Sequence, residues 1–231
     1  MKKLFVLLIM QLISYSAWSQ TMNIHYKNGQ TVEYNMDNID YVEFTEKKEN
    51  NAQVSSEKAV DLGLSVKWAS CNIGATSPEQ FGDKYAWGET SPKNEYKREN
   101  YLYYNSNTDS YMDIGMDIKG TDYDVAHVKW GGYWRMPTYD ELNELRKKCN
   151  WKWGQYNGAN GYIVTGPNGN SIFIPSGNSD ICLWSSQIIK DSNEGGNSST
   201  ARVLGIRYDH IGSIGGYGRG AGHYVRPVLS K

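Results

Sequence analysis

The sequence predicts an α+β domain with two short helices and irregular antiparallel sheets, preceded by a small β-hairpin element. Three observations lead there. The run Trp130-Gly131-Gly132-Tyr133-Trp134-Arg135-Met136-Pro137-Thr138 carries two Trp and a Gly pair into a helix start. Asn-Gly pairs at 28–29 and 168–169 sit between short alternating runs, the strongest local hairpin signal. The 231 residues hold 24 Gly, 18 Tyr and 8 Trp against 4 Phe, so tight turns surround a core of large amphipathic rings. The closing run from His223 to Leu229 reads as a short strand that brings the end of the domain into the same sheet as its start.

Taken in order, Lys2 and Lys3 precede an apolar run from Leu4 to Ile13, followed by Ala17-Trp18-Ser19. Positive, apolar, then small is the order of an export signal over 1–19. The apolar run falls short of the ~20 residues that span a bilayer. The expected mature chain begins near Gln20 and is exported to the periplasm, the outer surface or the medium. Residues 22–45 form a small β element: Met22–Tyr26 and Thr31–Tyr34 alternate about Asn28-Gly29, and Asp37–Phe44 offers a third strand. Residues 46–58 are polar and read as a linker.

The main domain spans 59–231. Leu62–Trp68 alternates as its first strand. Residues 91–120 are polar, Tyr-rich and aperiodic, which reads as a long surface excursion. A short helix begins at Thr121–Asp124 and runs to about His127. A better one begins at Thr138, where Thr138 and Glu141 form a capping box and Leu142, Leu145 and Cys149 share a face. Strands follow at Gly161–Thr165, Ser171–Pro175, Leu183–Ser186, Ala201–Tyr208 and His223–Leu229. Gly212–Gly222 reads as a Gly-rich loop.

Loss of Lys2 and Lys3 takes the formal charge from −1 to −3. A near-neutral chain without clustered Lys and Arg lacks the electrostatic footprint of a nucleic-acid binder. Of the three cysteines, Cys71 with Cys149 is the favoured disulfide in an oxidising compartment, and three buried free thiols is the alternative.

Several blocks, in order, resemble the Fibrobacter succinogenes major paralogous domain. They are Val60–Ala69 with Asn72–Ala75, Tyr85–Glu89, the Trp130–Glu141 run, Asn168–Pro175, Trp184–Ser186 and Val225–Val228. Together they cover nearly all of 59–231. The resemblance implies a C-type-lectin-like fold in a secreted or surface protein of Bacteroidetes type, related to the formylglycine-generating sulfatase-modifying domain. The piece at 22–45 also resembles a strand module carried by such proteins. In this reading Trp130, Trp134, Arg135, Thr138, Glu141, Trp184 and Arg226 are structural.

Catalytic chemistry finds little purchase. The formylglycine-generating relatives use a late copper-binding Cys pair, whereas only Cys182 lies late here, and one thiol does not make a two-thiolate soft-metal site. His25, His127, His210 and His223 are scattered, and no Gly-x-Ser-x-Gly elbow is present. No cofactor is expected. A calcium site is the other metal possibility: Asp109, Asp113, Asp117, Asp122 and Asp124 recur, though not at EF-hand spacing, and a solvated loop is the alternative. The late region instead offers Asn193, Asn197, Arg207, Tyr208, His210, Tyr217, Arg219 and His223 among glycines. Such planar, amide and ring groups suit a glycan or a protein surface. The expectation is a non-catalytic module binding a glycan or surface protein through late Gly-rich loops. An assembly module of a surface appendage comes second, and a degenerate formylglycine-generating-type enzyme third.

Overall fold

The computed structural model describes residues 21–25, 31–38, 59–177, 180–189, 197–208 and 210–231. The expected export segment, the Asn28-Gly29 turn, positions 39–44 of the third strand, the linker and Asn193 lie outside them. The chain divides into two units, Met1–Lys47 and Lys48–Lys231. In the first, β1 (Thr21–His25) and β2 (Thr31–Asn35) pair antiparallel, with Met22 opposite Tyr34 and Ile24 opposite Val32. Where the third strand was expected to begin, Met36–Asn38 make a 3-10 turn instead. The Asn35 side chain accepts the Asp37 amide at 2.9 Å, a local bond that competes with a ladder.

The second unit is α+β: its described residues hold two α-helices and many antiparallel strands in small sheets. The first strands are β3 (Ala59–Val60) and β4 (Val66–Ala69). The expected strand over Leu62–Trp68 is therefore only half correct. Gly63 sits at φ +76, a left-handed conformation that interrupts the run, with its amide bonded to the Asp61 carboxylate. Leu62, Leu64, Val66 and Trp68 are nonetheless all buried, so the alternation placed the side chains correctly while the backbone bends between them.

The 91–120 excursion carries a two-strand ladder, β5 (Tyr104–Asn105) with β6 (Ser110–Tyr111), and is not all surface, because Tyr101, Ile114 and Ile118 are buried. Helix α1 (Val125–Trp130) runs past the expected end at His127. Asp124 caps it by accepting the Ala126 and His127 amides, and the same carboxylate takes the Gly120 and Met136 amides. Strand β7 (Trp134–Arg135) leads into α2 (Tyr139–Lys148). The expected capping box is present, and Arg135 forks onto Glu141 at 2.6 and 2.8 Å. Burial opposes ionisation of Glu141, but Arg135 and the Thr138 amide prevail and hold the carboxyl below its usual range.

Next come β8 (Asn150–Tyr156), β9 (Ala159–Thr165) and β10 (Ser171–Pro175), which form one sheet. Strand β8 was not anticipated, since its Trp-Lys-Trp alternation is short. Then β11 (Ile181–Ile188), β12 (Thr200–Ile206) and β13 (Ile211–Gly218) form another. This corrects the Gly-rich loop: most of Gly212–Gly222 is a strand, since the β12 ladder needs only backbone groups. The last strand, β14 (Val228–Ser230), lies between β4 and β7, so the start and end of the domain share a sheet.

The β11–β12 pair is buried on both faces. Ala201, Val203 and Trp184 face a cluster with Trp87, Trp130 and Trp134, the last two edge to face at 5.0 Å. Leu183, Leu204 and Ile206 face a second cluster with Trp68, Leu142 and Val164. All three cysteines are free thiols, which corrects the expected Cys71–Cys149 bridge. Cys71 belongs to the first cluster and Cys149, closing α2, to the second.

Arg226 joins these parts. It is 0% exposed, and its guanidinium donates to the Asn72 side chain (2.7 Å) and the Ala69 (3.1 Å) and Phe173 (3.0 Å) carbonyls. Burial draws its pKa down, but a guanidinium starts high enough to stay charged at neutral pH. Removing it leaves three buried acceptors without a donor. Arg226→Met is expected to lower the unfolding free energy by about 3–5 kcal/mol. Arg226→Lys, which lacks the fork, is expected to rescue little of it; urea unfolding of both variants measures this.

Candidate ligand-binding site

Two concavities lie side by side on the second unit. The first is a cavity of about 300 Å³ lined by Phe81, Lys84, Asp180, Cys182, His223 and Tyr224, among others. It is built on paired backbone. Tyr85 and His223 exchange amide bonds at 2.9 and 3.1 Å, Tyr224 donates to the Cys182 carbonyl, and Trp184 donates to the Tyr224 carbonyl. The Trp184 indole also donates to the Tyr85 carbonyl at 2.7 Å, tying the second segment to the first. The Phe81 and Tyr224 rings meet at 5.7 Å.

The second concavity is a groove formed by two adjoining depressions of about 220 and 230 Å³. Tyr96, Lys97, Arg98 and Tyr111 form one bank; Asn197, Ser199, Tyr217 and the backbone of Gly218–Ala221 form the other. Arg98 pairs with Asp109 at 3.0 Å and lies over the Tyr104 ring at 4.7 Å, two exposed contacts that orient its guanidinium along the groove. Tyr96 against Gly222 walls the groove from the cavity. The Tyr96 hydroxyl donates to the Lys84 carbonyl, and a Cβ on Gly222 would lie 2.4 Å from the Tyr96 ring, so this wall requires glycine.

The expected site residues divide among three places. Asn197 and Tyr217 line the groove, with Tyr217 51% exposed. His223 lines the cavity and stacks edge to face with both Trp184 (4.7 Å) and Tyr217 (4.5 Å). Arg207 reaches the cavity through Asp180 at 3.1 Å. Tyr208, 62% exposed, packs its edge on Trp153, and His210 is exposed nearby at the turn from β12 into β13. Arg219 is a correction. It is 0% exposed and donates to Tyr101 Oη (3.0 Å), the Met112 carbonyl (3.2 Å) and the Ser198 carbonyl (3.1 Å), with its cation over the Trp87 ring. Arg219 supports the groove from beneath and offers nothing to a ligand.

The aspartates weighed for calcium do not converge. Asp109 holds Arg98, Asp117 accepts from Gln187, Asp113 caps the Gly115 amide, and Asp124 caps α1. Among the described residues no three His, Cys, Asp or Glu are placed to hold a metal ion. Sequence reasoning missed Phe81, Lys84, Asp180 and Tyr224 in the cavity and Tyr96, Arg98 and Tyr111 in the groove. The interleaved Tyr96-Lys97-Arg98 was the available signal. Compared with family models, curated proteins and solved structures, the chain matches none.

The thiol of Cys182 is pushed up by burial and then by Asp180, which keeps it protonated at neutral pH. His223 goes the other way. Burial, with a smaller push from Lys84, lowers its pKa from 6.5 to about 4, and its Nε2 is buried without a hydrogen-bond partner. The unfolded chain therefore binds the extra proton between those values, and stability rises with pH across the window. The contribution is full above pH 6.5 and is lost as pH falls towards 4. Urea midpoints measured from pH 7 to 4 are expected to fall in the wild type and to fall less steeply in His223→Gln.

Proposed function

We propose that the chain is an exported, non-catalytic recognition module that binds a glycan along the groove between Tyr96–Tyr111 and Asn197–Tyr217. The groove itself carries the reading. It presents the Tyr217 ring, the Asn197 amide, the Ser199 hydroxyl and the Arg98 guanidinium on two banks. A sugar offers apolar ring faces flanked by hydroxyls, and tyrosine rings with nearby amide and guanidinium donors complement both. Lys97 and Arg98 are balanced by Glu95 and Asp109, which favours a neutral glycan there over a polyanion. That balance and the chain's overall charge argue against a nucleic-acid partner.

Export is supported by the order of charge, apolar run and small residues at 1–19. Among the described residues no helix is long and apolar enough to cross a membrane. The resemblance to the major paralogous domain is in keeping with a secreted or surface role. The protonated Cys182 thiol weighs against nucleophilic chemistry in the cavity.

A second reading, an assembly module, draws on β13. This strand stands at the end of its sheet with no charged side chain between Ile211 and Gly218, and uncharged edges invite strand pairing.

A glycan array probed with residues 20–231, followed by titration, tests the first reading. Tyr217→Ala is expected to weaken binding about tenfold, or ~1.4 kcal/mol, and Asn197→Ala to weaken it less. Asn197→Ala should keep the wild-type unfolding midpoint, and Tyr217→Ala, which loses its edge-to-face contact with His223, should lower the unfolding free energy by no more than about 1.5 kcal/mol. Absence of glycan binding together with concentration-dependent self-association would favour the assembly reading.

A further inference from the structure

We propose that the cavity beside the groove is a subsite for an acidic sugar ring, a hexuronate whose carboxylate meets the Lys84 ammonium. Lys84 lines the cavity with its Nζ 5.5 Å from the centre of the Tyr224 ring. Its backbone is fixed by the Tyr96 hydroxyl on its carbonyl and by the Tyr85–His223 pairing next to it. The other charged group in the lining, Asp180, is paired with Arg207. Among the described residues no carboxylate lies within salt-bridge distance of Lys84. His223 and Cys182 are both neutral at pH 7 through burial. Among the described residues, Lys84 is thus a cation without an ion-pair partner in the lining of a concavity that also holds the Phe81 and Tyr224 rings.

An anion with an apolar body satisfies both features. The rings exclude water from one face of the ligand and strengthen its attraction to the ammonium. A cavity of about 300 Å³ lies at the small end of ligand sites, which suits one pyranose ring. Polar edges from Asp180, His223 and the Gly222 backbone would meet hydroxyls, which an aliphatic acid lacks. Because cavity and groove adjoin across Tyr96–Gly222 and the Tyr217–His223 ring contact, the hexuronate would be the acidic residue of the same glycan. This inference rests on the glycan reading for that feature, although monosaccharide binding is measured without it.

The test is a titration of the 20–231 chain with sodium glucuronate, glucose and sodium acetate, followed by amide NMR shifts. Glucuronate is expected to move the amides of Lys84, Gly222, His223 and Tyr224, and to bind at least tenfold more tightly than glucose or acetate. Lys84→Met should bring glucuronate down to the level of glucose, while Lys84→Arg keeps most of the binding. Lys84 is exposed, and dispersed spectra of each variant check folding. The proposal is overturned if glucose matches glucuronate, if acetate matches it (a bare anion site), if Lys84→Met has no effect, or if no amide moves. Failure of the array with glucuronate still binding would sink the groove reading alone.

Discussion

The segment from Arg219 to Val228 is the constraint on which the rest of the main domain depends. Its backbone is a partner to almost every other part. Trp87 donates to the Arg219 carbonyl, Tyr85 to His223, Trp184 to Tyr224, Ile73 to Val225 and Ala69 to Pro227. Each of those amides belongs to a buried residue that needs an acceptor away from water. The segment thus fastens the short pieces between Cys71 and Glu89, which are too irregular to form a ladder among themselves, to β11 and to the β4–β14–β7 sheet.

Two buried guanidiniums fix the ends of this segment. Arg219 gathers Tyr101, Met112 and Ser198; Arg226 gathers Ala69, Asn72 and Phe173. These six partners are carbonyls, an amide oxygen and a hydroxyl, all neutral. Burying a charge this way costs more than burying a hydrocarbon, and its return is geometric, because one planar fork sets the spacing of several chain segments. The candidate site follows from that arrangement. The groove's far bank is the stretch directly before and after Arg219, and the cavity's back wall is His223–Tyr224 between the two arginines.

How much of this the sequence disclosed depends on how local the physics is. The α2 cap was readable because Thr138 and Glu141 lie three residues apart and bond each other. The β9–β10 hairpin was readable from Asn168-Gly169 between alternating runs. The core faces of Leu62–Trp68 were readable from period two, although the bend at Gly63 was not. Strand β13 was hidden because glycines carry no pattern, while its pairing to β12 rests on backbone alone. Arg219 was misplaced on the surface because its acceptors at 101, 112 and 198 are distant in sequence. The cavity was missed for the same reason, since its lining comes from residues 81–84, 180–182 and 222–224.

Native-state hydrogen exchange on the amides of Ala69, Ile73, Tyr85, Trp87 and Trp184 tests the role of the closing segment most directly. If that segment holds the domain as one body, all five exchange only through a common opening, with free energies that coincide with global unfolding. Should Tyr85 and Trp87 open several kcal/mol below Trp184, the strap is a local attachment and the account given for the domain and its binding face is wrong.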